Sequence, residues 1–318
     1  VLIMGHKNSD LDSFGASLAA ARIVENLGKK ANIVIDYESL EEKTKGVVEM
    51  LRSNPDYKGL MLTISEALEK ANKNTLLISV DNHKDSLAIS RSVLDKVKNK
   101  VIIDHHRRSE EFISSPVLTY LEPSASSTVE LLVELFDYQQ HEIEISSLDA
   151  TIMYTGMLVD TNYFRQHVGT RTFQSAAKLK EAQADLSLAY ELLEDSFECM
   201  KEIFDITESA YRYKDKFLIA TGKDEELSRS TLAKAANQLV YVSGIYAAFA
   251  IGYISKNTVA ISARSSKKVN VQMIMENDAL HGGGHFSMAA CQIENVTIEE
   301  AKERLEHAID AYLEDRGV

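Results

Sequence analysis

Cysteine is scarce: Cys199 and Cys291 are the only two in 318 residues. Two thiols so far apart build neither a disulfide framework nor a thiolate metal site, so both are expected to be free packing residues in a reducing cytoplasm. Long apolar runs are lacking as well. The longest, residues 239–254, is broken by Ser243 and Gly244 and falls short of the roughly 20 residues that cross a bilayer. Positive charge is in deficit: 35 Lys and Arg against 48 Asp and Glu leave a net charge of −13, a field that repels polyanions and argues against a long nucleic-acid duplex as partner. A small anion can still bind where the local field is positive or metal-loaded. There is no internal repeat and no low-complexity tract, and the chain opens on Val1 without Met, as expected of a segment cut from a longer protein.

What is present is enough apolar material, 45% of residues, to build two cores, and the length suggests roughly two domains of about 150 residues each. In the first half, short β-branched runs at 1–4, 31–35, 75–80 and 101–104 alternate with helical patterns at 13–27, 38–51 and 129–136, the signature of a parallel α/β sheet. Helices are also expected at 172–184 and over a long acidic stretch, 186–213. Beyond it, strands at 216–221, 247–254 and 258–263 with helices at 230–240 and 298–313 predict a smaller α/β or α+β lobe. The expected organisation is therefore a first lobe over 1–185, a helical linker over 186–213, and a second lobe over 214–318.

Several of these runs stop abruptly on polar groups. Val101-Ile102-Ile103 ends on Asp104-His105-His106-Arg107-Arg108; Val1 to Met4 leads to His6, Asp10 and Asp12; residues 75–80 end on Asp81-Asn82-His83; and residues 152–159 end on Asp160. An isolated His-His pair is often only a surface pair, and Asp12 alone could be an N-cap. Recurrence alters that reading, because in parallel sheets ligands bind beyond the carboxyl ends of the strands. Gathered together, His6, Asp10, Asp12, Asp81, His105 and Asp160 are hard oxygen donors with two imidazoles and no thiolate, a set suited to Mn²⁺ or a similar divalent ion. Four crowded carboxylates need compensating cations, and two divalent ions balance four charges. Two metals about 3.5–4 Å apart activate a bridging water and stabilise the attacking and leaving oxygens of phosphoester hydrolysis. His106 and Arg107 would meet the phosphate oxygens, and Asp104 would orient an imidazole.

Substrate contacts are expected elsewhere. The hydroxyl-rich turn that includes Ser127 and Thr128 precedes a helix, a phosphate cradle unless it serves only as a cap. Gly282-Gly283-Gly284-His285 offers backbone N–H groups close to a phosphate, though a glycine triplet also suits a plain turn. Arg264 is the second-lobe cation best suited to another phosphate, and Asn270 is a candidate for reading a nucleobase edge.

The ordered set Gly5-His6 with Asp10 and Asp12, Asp81, Asp104-His105-His106, Asp160 and Gly282-Gly283-Gly284-His285 resembles the DHH phosphoesterase superfamily with a type 1 DHH-associated C-terminal domain. The resemblance covers essentially the whole chain. It implies two α/β lobes with a Mn²⁺-loaded cleft between them, metal ligation by the six residues named above, and Asp81 as the bridge. His6-Lys7 and His285-Phe286 look most like the GdpP-type cyclic-di-AMP phosphodiesterases, which implies hydrolysis of cyclic di-AMP to linear 5′-pApA inside a membrane-anchored sensor, with a homodimer as the expected assembly. A nano-RNase or 3′-phosphoadenosine phosphate phosphatase is the alternative within the superfamily, and a non-hydrolysing cyclic-dinucleotide receptor the alternative outside it. The sequence departs from the family pattern at Ser9, where proline is common, and at Asp81-Asn82-His83, where Asp-His is commoner. His83 is expected near the site but outside the ligand set, so that His83→Ala would keep its metal and its turnover.

Overall fold

The computed structural model describes residues 1–266 and 268–315, and the chain divides into two compact units, Val1–Glu194 and Asp195–Val318. The first unit runs β1 (Leu2–Met4), α1 (Leu11–Asn26), β2 (Asn32–Ile35), α2 (Glu42–Ser53), β3 (Met61–Thr63), α3 (Ile64–Lys70), β4 (Leu76–Val80), α4 (Arg91–Lys96), β5 (Asn99–Asp104), β6 (Leu118–Leu121), α5 (Thr128–Leu135), α6 (Ser147–Asp160), α7 (Thr170–Glu181) and α8 (Leu186–Glu191). Its six strands lie in the order β3-β2-β1-β4-β5-β6, with every neighbouring pair parallel. The strands are short apolar runs because helices cover both faces. Ile3, Ile33 and Ile78 join the core shared with α1, α5 and α6, while Leu2, Met4, Val34 and Leu77 point the other way, into the core with α3 and α4. The strand order reverses between β1 and β4, and a doubly wound sheet opens its ligand crevice at that switch point, beyond the strands' carboxyl ends.

The second unit contains α9 (Phe197–Glu208), β7 (Tyr211–Tyr213), β8 (Phe217–Glu226), α10 (Arg229–Leu239), β9 (Ala247–Ser255), β10 (Thr258–Ser265), α11 (Val271–Met275), β11 (Gly283–Gly284), β12 (Met288–Glu294) and α12 (Ile298–Glu314). The sheet order is β11-β12-β10-β9-β8-β7, mixed, with β8 and β9 parallel and the other pairs antiparallel. Phe217, Phe249 and Ile261 pack with Leu305 and Ile309 of α12, and Leu218, Ala248 and Ala250 with Leu232 and Ala236 of α10.

Three expectations change. Residues 152–159 belong to α6 rather than to a strand, so Asp160 reaches the site from a helix C-terminus. The run is apolar because α6 is buried on nearly all sides, which erases the helical period. The 186–213 stretch is not one helix: α8 packs on α6, α9 packs on α10 and β8, and the division between units falls at residues 194 and 195. The short α3 and α4 had no legible pattern, being only 7 and 6 residues long.

Candidate active site

The loops after β1 and β4 flank the switch point, and His6 and Asp81 occupy them. Asp10 caps α1 by accepting a hydrogen bond from Ser13 N at 2.9 Å, which places Asp12 in the first helical turn. There Asp12 is fully buried, and its two carboxylate oxygens accept from the N–H groups of Thr128 (2.8 Å) and Val129 (3.1 Å) at the start of α5. The positive end of the α5 dipole is thus spent on an aspartate of the chain itself. Thr128 also donates its hydroxyl to Asp81 Oδ1 at 2.9 Å. Asp81 has a left-handed backbone, φ 56°, a conformation that non-glycine residues hold only where the surroundings impose it.

Asp160 closes the set from α6. That helix approaches α1 at Gly156, where a Cβ would lie 2.6 Å from Leu11 O and 2.9 Å from Asp12 Cα. Only glycine lets the two helices come this close, and the contact carries Asp160, one turn further on, to His105. A carboxylate at a helix C-terminus meets the negative end of the dipole, a placement that calls for a cation.

The imidazoles are oriented by acceptors. His6 Nδ1 lies 2.7 Å from Lys7 O, a carbonyl that can only accept, which fixes the proton on Nδ1 and directs Nε2 toward Asp81 Oδ2 at 3.2 Å and Asp10 Oδ1 at 3.9 Å, where it would be the ligand atom. His105 Nε2 is buried, 3.0 Å from Asp160 Oδ2 and 3.6 Å from Asp81 Oδ1, without the alignment of a hydrogen bond. His106 differs. Its Nδ1 donates to Asp104 Oδ1 at 2.8 Å, its N–H donates to the same oxygen at 3.0 Å, and its ring is 48% exposed.

Among the described residues three clusters result whose potential ligand atoms lie within 4.8 Å of one another: His6, Asp10 and Asp81; Asp12, His105 and Asp160; and Asp81, His105 and His106. All six expected ligands are brought together, and Asp81 belongs to two clusters. Titration follows the crowding. Burial, then repulsion from Asp81 and Asp160, pushes Asp10 up to about 7. Burial and the same two neighbours push Asp12 well above the usual carboxylate range. Burial opposes a charged His6, yet Asp81 and Asp10 push it up to about 10, and His105 is raised by Asp160, Asp81 and Asp12. Burial likewise opposes a charged Asp104, but hydrogen bonds from His106 and His83 hold it well below the usual range. A buried imidazole nitrogen without a hydrogen bond, aimed at carboxylates that repel one another, fits divalent metal, and the absence of thiolate favours a hard ion.

The substrate candidates divide. Ser127 and Thr128 are fully buried; Ser127 caps α5 through Glu130 N at 3.1 Å, and the Thr128 donors go to Asp12 and Asp81. They hold Asp12 and Asp81 in place and leave no open cradle, which corrects the expectation that they bind phosphate. Asn270 has a structural task as well: its side-chain oxygen caps α11 by accepting from Gln272 N at 3.1 Å. Arg107 and His285 are exposed. In the second unit, Arg264, Gly283 and Gly284 border a cavity of about 360 Å³ together with Arg229, Ser262 and Gln292. Arg229 had no sequence signal; it donates to Gln292 Oε1 at 3.0 Å. Gly282 is there for packing, since a Cβ would lie 2.5 Å from Ala290 O, whereas nothing lies within 4 Å of a Cβ on Gly283.

Carboxylates and imidazoles gathered at the switch point of a parallel sheet form a candidate divalent-metal centre on a doubly wound α/β domain. The chain belongs to the DHH family: the DHH family N-terminal domain matches residues 1–157 and the DHHA1 domain residues 214–315. It is 39% identical over 317 residues to the cyclic-di-AMP phosphodiesterase GdpP of Bacillus subtilis, covering 99% of this chain and 48% of that protein. It is 40% identical over 313 residues to the cyclic-di-AMP phosphodiesterase PdeA of Listeria monocytogenes, covering 98% and 47%. The chain spans about half the length of these curated relatives. An exopolyphosphatase-related protein from Bacteroides fragilis shares the fold, with a TM-score of 0.80 at 21% identity over 98% of this chain and 92% of that one.

Proposed function

We propose that this chain is a metal-dependent phosphodiesterase that hydrolyses cyclic di-AMP to linear 5′-pApA, with Mn²⁺ as its ion. The observation that carries the reading is Asp81: buried, held in a left-handed conformation, and common to two ligand clusters. The names of the similar proteins from Bacillus subtilis and Listeria monocytogenes support the substrate. His6, Asp10 and Asp81 would hold one ion; Asp12, His105 and Asp160, with Asp81 shared, would hold the other. Bound there, paired divalent ions supply charge neutralisation and water activation for phosphoester hydrolysis.

The remaining work falls to the chain. The α5 terminus holds Asp12 and Asp81 fixed before any ion or substrate arrives, so no reorganisation is needed at the moment of reaction. Asp104 holds Nδ1 of His106, and we assign the other nitrogen of that half-exposed ring, with exposed Arg107, to the substrate phosphate. In the second unit we assign the nucleotide's other phosphate to Arg264, the glycine backbone at 283–284 and His285; the Gly282 N–H is already donated to Met275 O at 2.7 Å. Attachment of the longer protein to a membrane and homodimerisation belong to the same reading, on the family likeness alone. The test is to offer the chain cyclic di-AMP, pApA and 3′-phosphoadenosine phosphate side by side with Mn²⁺. Cyclic di-AMP should disappear fastest, with pApA accumulating; fastest loss of the mononucleotide would overturn the substrate.

A further inference from the structure

His83 lies outside the three ligand clusters, yet it is almost fully buried and every polar atom of its ring is engaged. Its Nδ1 donates to Asp104 Oδ2 at 2.5 Å. Its Nε2 accepts from the backbone N–H of Ser109 at 3.2 Å and lies 3.1 Å from Ser109 Oγ, whose own proton goes to Glu111 O at 2.6 Å. These partners assign a neutral ring with the proton on Nδ1. The ring therefore has no proton to hand to a substrate.

The two partners bracket a loop. Asp104 ends β5 and Ser109 lies five positions later, so the ring spans the base of the segment carrying His105, His106 and Arg107. The fastening continues beyond Ser109. Ile113 N donates to His83 O at 2.7 Å, and Phe112 packs on the His83 ring at 5.3 Å between centroids, with the Arg108 guanidinium 5.0 Å over Phe112. His83 itself is fixed from below, where Ser79 Oγ donates to Asn82 O at 2.8 Å and the Asn82 side chain turns back on Lys84. The other oxygen of Asp104 holds His106 by both its ring and its N–H.

We infer that His83 is a positioning residue, a strut that closes the 104–109 loop and, through Asp104, sets the ring of His106 toward the substrate phosphate. This rests on the reaction proposed above and revises one expectation from the sequence: metal is retained in His83→Ala, but turnover is not. Removing a partner that orients a functional group typically costs about 10–100-fold. A buried acceptor lost at Ser109 and a freed Asp104 account for that range, whereas the six ligands keep their own contacts.

The test uses the 318-residue chain with Mn²⁺ and cyclic di-AMP. His83→Ala should keep its metal content, keep KM within about twofold and lose about 10–100-fold in kcat. His83→Asn preserves a donor near the Nδ1 position and should recover much of kcat; His83→Gln, which reaches Ser109 instead, should recover less. The decisive comparison is a double-mutant cycle with His106→Asn. In that background His83→Ala should cost no more than about twofold, because both changes act through one ring. Independent losses that multiply would overturn the inference, as would loss of a metal ion in His83→Ala. A readout free of turnover is amide hydrogen exchange across 105–113, which should accelerate in His83→Ala and stay slow in His83→Gln. Unchanged exchange in His83→Ala would sink the strut. Accelerated exchange in a chain that does not cut cyclic di-AMP would support the strut while overturning the substrate reading.

Discussion

The two units make opposite demands on their surroundings. In the first, four aspartates and two histidines converge on one small volume, and burial plus mutual repulsion raise Asp10 and Asp12 above the usual carboxylate range. In the second, the cavity beside the glycine strand is lined by Arg229 and Arg264 and by no acid, although the chain carries 48 acidic residues. Burial lowers the Arg264 guanidinium from its ordinary range, with Tyr241 opposing, a cost that an anionic ligand would offset. The first unit's chemistry suits cations and the second unit's suits an anion.

That contrast can be broken from either side. The largest effect is expected at Asp81, the carboxylate common to two clusters: Asp81→Ala should lower turnover by more than about 10³-fold and reduce bound metal, measured by elemental analysis beside a product assay. Arg264→Ala should leave metal content unchanged and raise KM for cyclic di-AMP by roughly tenfold, about the weight of one charged hydrogen bond; an unchanged KM would remove the arginine from the substrate.

Asp10→Asn separates charge from architecture, because asparagine caps a helix as well as aspartate does. The folded carboxyl sits near 7 against 3.8 unfolded, so the metal-free protein has that group's full stability below about pH 4 and loses it as pH rises through 7. Metal-free Asp10→Asn should gain on the parent between pH 5 and pH 8 by at least about 1 kcal/mol, since a tenfold change in proton affinity is about 1.4 kcal/mol. Thermal unfolding at the two pH values reads this directly, and equal gaps would contradict the crowding.

The smallest effects belong to the glycines. Gly282→Ala should destabilise the chain by about 1–3 kcal/mol through the clash with Ala290 O, whereas Gly283→Ala should stay within about 0.5 kcal/mol and change only KM. A Gly283→Ala enzyme with unaltered KM would take the backbone at that position away from the phosphate.

The six ligand candidates were legible because each closes an apolar run, and five of them also follow strands of the parallel sheet or open the helix beside it. Asp160 was found for a partly mistaken reason. A fully buried helix such as α6 looks like a buried strand in sequence, and only length separates them. Ser127 and Thr128 carried a correct signal, donors at a helix N-terminus, but not its destination, because nothing local shows that Asp12, more than 100 residues earlier, takes those donors. The capping task of Asn270 was not foreseen, because capping and base recognition draw on the same side-chain amide. His83 and Arg229 gain their meaning only from partners distant in sequence, Asp104 and Ser109 for one, Gln292 for the other.

The most direct test is to titrate Mn²⁺ into the metal-free chain while following both bound ion and conversion of cyclic di-AMP to pApA. Two ions per chain should bind, turnover should appear as the pair fills, and Asp81→Ala should show neither full occupancy nor product. Undiminished conversion after chelation, or in Asp81→Ala, would contradict the account.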